Sequence, residues 1–319
     1  MIKLIVEEQK KLQVIDNQEN ILSHVKENMW IHMVMPSIAE VEQLSGIVNI
    51  NRDFLVSLLD DEESARLDVD DDYTLIVLDI PCYEDDVYYT YPFAIIYNEK
   101  YYITLCRRET GVVNSVLTKF KKVEPHKHVR LTLQIMYRIA SNYIQSLKVI
   151  DNLRLTLEKA LQSSTKNSDL LLLMDLNKSL VYFSTSLHAN RVVLNKVKRL
   201  AEYKKYEDDF DLMEDVEVEN NQAIEMCTIY RDILSGIMDA FSSIISNNLN
   251  TVMKVLAIIT LIISIPTLIA SLFGMNVQVP FAKEEAGFII ILIISAICSI
   301  IGGALLLFYT SKSNKKRKK

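Results

Sequence analysis

The chain has 319 residues, half of them hydrophobic, and a formal net charge of −6. That length accommodates a soluble domain plus two membrane spans, and the acidic balance gives no ground for a nucleic-acid partner. Four cysteines, Cys82, Cys106, Cys227 and Cys298, are scattered without a CxxC pair, which excludes a disulfide framework and a zinc–cysteine site and fits a reducing cytosol.

Met1 to Val6 is a short apolar run followed at once by Glu7, Glu8, Lys10 and Lys11, so it is not read as a signal peptide. Helical segments are expected over Ile38 to Gly46 and Arg52 to Asp61. Tyr73 to Ile80 is β-rich and ends at Pro81, while Phe93–Tyr97 and Tyr101–Leu105 flank a tight Asn98-Glu99-Lys100 connection and read as a hairpin. Residues 1–122 are therefore expected to form a cytosolic α/β domain with a largely antiparallel or mixed sheet. His126-Lys127-His128 shows no carboxylate or cysteine partner in its spacing and reads as surface.

Between Pro125 and Gly236 there is neither glycine nor proline, and apolar residues such as Leu131, Leu133, Ile135, Met136 and Ile139 recur at helical intervals. Two interruptions, Ser163 to Ser168 and the acidic run Tyr206 to Asp215, divide this stretch into three helices, the last starting near Asp211 and running into an apolar span. Residues 123–250 are expected to be a helical stalk. A helix unbroken to Phe273 is roughly 90–100 Å long at about 1.5 Å per residue, and needs neighbours along its soluble half.

Val255 to Phe273 and Phe288 to Tyr309 carry no charged side chain, and each approaches the roughly 20 apolar residues that cross a bilayer. The expected division is residues 251–275 for a first, pore-lining span, 276–287 for an outer loop, 288–310 for a second span and 311–319 for a basic tail. Lys315 to Lys319 places that tail in the cytoplasm by the positive-inside rule. Two crossings return the N-terminal domain to the same side of the plasma membrane, and the loop Val277 to Ala286, with Glu284 and Glu285, faces outward.

Alternating three- and four-residue steps through the first span select Asn250, Met253, Ala257, Thr260, Ser264, Thr267, Ser271 and Gly274, most of them small or polar. Hydroxyls do not face lipid without cost, so this stripe faces protein or water. One helix pair cannot enclose a passage, whereas several copies with the stripes inward make a hydroxyl-lined pore. The competing reading is close packing of helices through small residues. Met253 and Leu256 lie on or beside the stripe near its inner end, where converging apolar side chains gate by dewetting or, alternatively, pack stalk helices together. Pro266 removes one backbone hydrogen bond within the span.

Gly274-Met275-Asn276 stands at the outer end of the first span, and Val252-Met253-Lys254-Val255-Leu256 at its inner end. With both spans last in the chain, this resembles the CorA family of magnesium transport proteins. The resemblance implies a CorA-like oligomeric funnel: an α/β cytosolic domain, long stalk helices and two C-terminal transmembrane helices, assembled as a homopentamer in the lipid bilayer. It implies a divalent-cation channel, with Mg2+ as both transported and regulatory ion, Co2+ or Ni2+ tolerated, movement down the electrochemical gradient, no separate cofactor and no enzymatic activity. No nucleophile–base set or phosphate-binding glycine loop is present in the sequence.

Under that resemblance Gly274, Met275 and Asn276 form the selectivity filter. A ring of Asn276 amides accepts hydrogen bonds from the waters that Mg2+ gives up reluctantly. Gly274 supplies backbone freedom and Met275 packs; an ordinary helix cap is the plainer alternative. The family's intersubunit regulatory metal site maps on the long helix to Asp215. On the α/β side it maps to Ser57, a departure for which Asp60 or Asp61, one turn on, can substitute. Pro266 stands about one residue from the family's proline, and Val277-Gln278-Val279-Pro280 replaces the common Met-Pro-Glu. A zinc-transporting branch with the same tripeptide, and a membrane-anchored helical sensor or scaffold without transport, are the alternatives.

Overall fold

The structure is a computed structural model that describes residues 1–8, 11–16, 20–163, 167–204, 206–275, 280 and 287–317. Its elements, in order, are β1 (Ile2–Glu8), β2 (Lys11–Ile15), β3 (Trp30–Val34), α1 (Ile38–Val48), α2 (Arg52–Ser57), β4 (Arg66–Val69), β5 (Thr74–Glu84), β6 (Val87–Tyr97), β7 (Tyr102–Cys106), α3 (Val112–Lys119), α4 (His128–Ser163), α5 (Asn167–Val197), α6 (Glu207–Phe273) and α7 (Gly287–Arg317). The chain divides into two compact units, Met1–Met238 and Asp239–Lys319, with the boundary inside α6.

The first unit is built on a seven-stranded sheet in the order β2-β1-β3-β7-β6-β5-β4. All its pairings are antiparallel except β3 with β7, so the sheet is mixed. Side chains alternate between faces along each strand. Leu4, Ile31, Met33, Leu75, Val77, Ile96, Ile103 and Leu105 point to one face and meet Val41, Leu44 and Val48 of α1 and Leu55 of α2. Trp30, His32, Tyr102 and Thr104 alternate with them onto the opposite face, where the Tyr102 hydroxyl is 2.9 Å from that of Thr132 on α4. Ser37 starts α1 with a capping box: its hydroxyl accepts from the Glu40 amide, and the Glu40 carboxylate accepts from the Ser37 amide at 2.7 Å.

β5 does not stop at Pro81 but runs to Glu84. β4 pairs with it only as far as Val77, and beyond that point one edge of β5 has no strand neighbour among the described residues. A proline there costs no ladder hydrogen bond. α5 covers the gap instead. The buried Asn190 side chain accepts from the Asp79 amide and donates to the Asp79 carbonyl, both at 2.8 Å, as a strand would. The turn from β5 into β6 is Asp85-Asp86, whose φ values of 48° and 64° are those of a type I′ hairpin turn.

α4 ends at Ser163 and α5 begins at Asn167, with 164–166 outside the described residues, while α5 ends at Val197 and α6 begins at Glu207, ahead of most of the acidic run. Glu207, Asp208 and Asp209 form the first turn of α6, where carboxylates meet the positive end of the helix dipole. α2 ends at Ser57, so Asp60 and Asp61 lie in the turn after it. Strands β1 to β4, the first half of β6 and helix α3 carry no element in the sequence reading.

Candidate functional site

Within the second unit, α6 continues through Pro266 to Phe273, and the helical hydrogen bonding carries on past it. The Gly274 amide donates to the Ala270 carbonyl at 3.0 Å, and the Met275 amide to the Leu272 carbonyl at 3.4 Å. Asn276 lies outside the described residues, as do 277–279 and 281–286 of the outer loop. No described glycine has a positive φ, and a Cβ on Gly274 would meet only its own helix, at 3.4 and 3.6 Å. Among the described residues, neither a left-handed turn nor crowding therefore requires glycine at this position.

The most apolar window of α6 has a mean hydropathy of 2.5, and none of it is buried within the chain. Asn250, Met253, Leu256, Ala257, Thr260, Ser264, Thr267 and Ser271 are all exposed, Met253 at 56% and Leu256 at 55%. The partly covered positions of the span are Ile258, Ile262, Ile265, Pro266, Ile269 and Phe273. At about 100° per residue these six point within about 50° of one direction, nearly opposite the polar stripe. α7 supplies cover on that side. A Cβ placed on Gly302 would come within 2.9 Å of Ile265 Cδ1, and one on Gly303 within 3.1 Å of Ile262 Cδ1. Together with Ser295 and Ser299, these glycines give α7 a small-residue face that lets the two helices approach closely. α7 is apolar over Phe288–Ala304, and the side chains of the expected remainder of that span, to Tyr309, lie outside the described residues.

Three of the stripe hydroxyls have their donors occupied. Thr260 donates to the Leu256 carbonyl at 2.9 Å, Ser264 to Thr260 at 2.8 Å and Thr267 to Ile263 at 2.9 Å. Each oxygen keeps acceptor lone pairs facing away from its own helix. Such a row suits donors arriving from outside, as the waters around a cation are.

In the first unit, Asp215 is exposed on α6 close to Tyr137 of α4, whose phenol is pushed up by burial and then by Glu219 and Asp215. Asp60 accepts from the Glu62 amide at 3.0 Å. Asp61 is held by two guanidiniums, Arg107 at 3.6 Å and Arg108 at 3.4 Å, and Arg108 also pairs with Glu84 at 2.8 Å and stacks over Tyr91. No hydrogen bond or ion pair among the described residues joins Asp215 to Asp60 or Asp61 within one chain.

A cavity of about 1050 Å3 opens at the start of α6, walled by Asp70–Thr74, Tyr97–Lys100, His126–Arg130 and Asp208–Asp209. Arg130 reaches across it to Asp209 at 3.2 Å, and the Tyr97 hydroxyl donates to Glu202 at 2.6 Å. Both contacts hold the α5–α6 connection and the first turn of α6 against the rest of the unit.

The histidine pair differs from the sequence reading. His128 begins α4 with a buried, unpartnered Nε2, and burial followed by the nearby His126 lowers its pKa to about 4. His126 does have carboxylate neighbours: Glu7 from β1 at 3.7 Å and Glu124 at 3.8 Å. Glu7 is too distant in sequence for any spacing to reveal. Burial raises the Glu124 carboxyl, but Lys122 and Lys127, each 3.1 Å away, more than reverse this and hold it below its usual range.

A mixed-sheet α/β domain, long helices and a C-terminal apolar helix region define a CorA-like architecture, that of a membrane transporter with a soluble domain. Residues 25–316 match the family described as CorA-like Mg2+ transporter protein, and the chain belongs to that family. The cobalt/magnesium transport protein CorA of Methanocaldococcus jannaschii is 28% identical over 266 residues, covering 82% of this chain and 84% of that one. The protein of the same description from Thermotoga maritima is 28% identical over 148 residues, 46% of this chain and 42% of its own. Among solved structures, the complete CorA magnesium transporter of M. jannaschii superposes with a TM-score of 0.80 at 24% identity, covering 96% of each chain. Full-length CmaX has the same fold, with a TM-score of 0.69 at 17% identity, covering 98% of this chain and 96% of its own.

Proposed function

We propose that this chain is one subunit of an oligomeric divalent-cation channel, a homopentamer, that passes Mg2+, and also Co2+ or Ni2+, down their electrochemical gradient. The observation that carries the reading is that α7 covers one apolar side of α6, while the polar stripe, with apolar flanks such as Ile263 and Leu268, is left open. In lipid an uncovered row of hydroxyls is costly. Copies of the same chain, stripes inward, supply a water-filled axis. Both termini are cytoplasmic, residues 251–275 line the axis, and the second span lies outside them.

Gly274, Met275 and Asn276 form the outer filter, with a ring of Asn276 carboxamides holding a hydrated ion through its waters. Nothing among the described residues of one chain calls for glycine at 274, which supports a demand made by neighbouring subunits. Met253 and Leu256 close the cytoplasmic end by dewetting. Cytosolic Mg2+ between subunits, held by Asp215 and by Asp60 or Asp61, favours the closed state, and it does so only by its preference for that state. The two arginines on Asp61 make Asp60 the better placed of that pair.

Cysteine labelling tests the arrangement. In a protein with its native cysteines replaced, a water-soluble thiol reagent should react with Thr260→Cys, Ser264→Cys and Thr267→Cys, and Thr267→Cys should cross-link between subunits. Ile258→Cys, Ile262→Cys and Ile269→Cys should stay protected. Equal reactivity of both faces would mean that the stripe does not line water.

A further inference from the structure

Glu7, near the end of β1, meets Glu124 and His126 from the connection between α3 and α4. One ligand atom from each residue lies within 4.8 Å of those of the other two. The His126 ring stands between two carboxylates, Nδ1 3.7 Å from Glu7 Oε2 and Nε2 3.8 Å from Glu124 Oε1. Both distances are too long for hydrogen bonds. The two contacts use opposite nitrogens of the ring, and an ion takes only one; with one ligand atom per residue the three separations are within 4.8 Å, against the roughly 3.3–4.2 Å that separates two ligands of one ion bound at about 2.0–2.1 Å. Glu124 is 8% exposed, so the fold fixes its position, while the exposed His126 ring is free to close the remaining few tenths of an ångström.

We infer that Glu7, Glu124 and His126 form a binding site for a divalent transition-metal ion of the Co2+, Ni2+ or Zn2+ class, within one subunit and separate from the pore and from the regulatory Mg2+ residues. The donor set decides the class. Imidazole nitrogen with carboxylate oxygen suits these borderline ions, whereas Mg2+ takes oxygen ligands and keeps its waters. Two features moderate the affinity. Lys122 and Lys127 each place an ammonium 3.1 Å from a Glu124 oxygen, where they repel an incoming dication and compete for its ligand. Their side chains are 68% and 48% exposed, so they can swing into water. Exposed ion pairs of this kind are worth only about 0–1 kcal/mol. The bound ion would clip β1 to the segment that leads into α4.

The test uses the purified full-length protein in detergent, stripped of metal and held in excess Mg2+ so that oxygen-only sites are filled. Co2+ is titrated in, followed by its visible absorption and by metal content per chain. The wild type should take up one more Co2+ per chain than His126→Ala, and Glu7→Gln should weaken that uptake by about tenfold or more. Lys122→Gln should tighten it by up to about fivefold by removing a competitor for Glu124, a gain that misfolding cannot produce. Equal Co2+ uptake and identical spectra for the wild type and His126→Ala would overturn the site. Wild-type Co2+ affinity in Glu124→Gln would remove Glu124 from the ligand set, and with it the site as drawn.

Discussion

Gly303→Val should loosen the helix pair on which the pore arrangement depends. A Cβ at this position would lie 3.1 Å from Ile262 Cδ1 and 3.3 Å from Ile262 Cγ1. Both separations demand that the neighbour give way by a few tenths of an ångström. Valine adds two further carbons directed at the same isoleucine, in a contact with no spare room. Overpacking of this kind costs about 1–3 kcal/mol, which is roughly a 5- to 150-fold shift in the equilibrium between packed and parted helices. Gly302→Ala is the matched control. Its Cβ would approach Ile265 Cδ1 to 2.9 Å, but that atom is the far end of a flexible side chain and can rotate aside. The helix-propensity gain of about 0.8–1.0 kcal/mol on replacing glycine offsets much of what remains, so its net effect should stay within about 1 kcal/mol. The assay is the fraction of protein still oligomeric by size-exclusion chromatography after heating in detergent. A Gly303→Val protein as heat-resistant as the wild type would refute the α6–α7 contact.

Other consequences follow from single contacts. Asn190→Leu removes both hydrogen bonds to the Asp79 backbone and should cost about 2–4 kcal/mol, read as an earlier urea transition of Trp30 fluorescence. An unchanged midpoint would mean that the free edge of β5 needs no such partner. Asn276→Ala should abolish or severely reduce Mg2+ uptake while leaving the oligomer intact; normal uptake would reduce the tripeptide to a helix cap. Asp215→Ala should lose the protection from protease that millimolar-range Mg2+ gives the soluble region. If the wild type shows no such protection, Mg2+ regulation fails; if the variant keeps it, only Asp215 is released from the role.

The long helices were legible because their signals are local. The absence of glycine and proline over more than a hundred residues, the three- and four-residue apolar spacing, and the uncharged spans each act within a few helical turns. The β6–β7 hairpin was legible for the same reason. Pro81 misled because a proline reads as a strand end unless the strand's other edge is known to be empty, and that emptiness is a property of where β4 stops. The acidic run at Tyr206 to Asp215 looked like a break but is a helix start, which charge alone does not separate. The stripe on α6 was visible as spacing; that α7 covers the opposite side came only with the contacts of Gly302 and Gly303. His126 shows the limit most plainly, since one of its carboxylate neighbours is on β1 and only the folded sheet brings it there.

Ion flux into liposomes containing the purified protein tests the central claim most directly. With Mg2+, Co2+ and Zn2+ offered separately outside and the interior held at a negative potential, the wild type should admit Mg2+ and Co2+ without nucleotide, and Thr267→Val should reduce that flux because an acceptor for the ion's waters is lost from the axis. Vesicles that hold correctly assembled protein yet remain impermeable to all three ions would contradict the account, and leave the chain a membrane-anchored helical assembly without a passage.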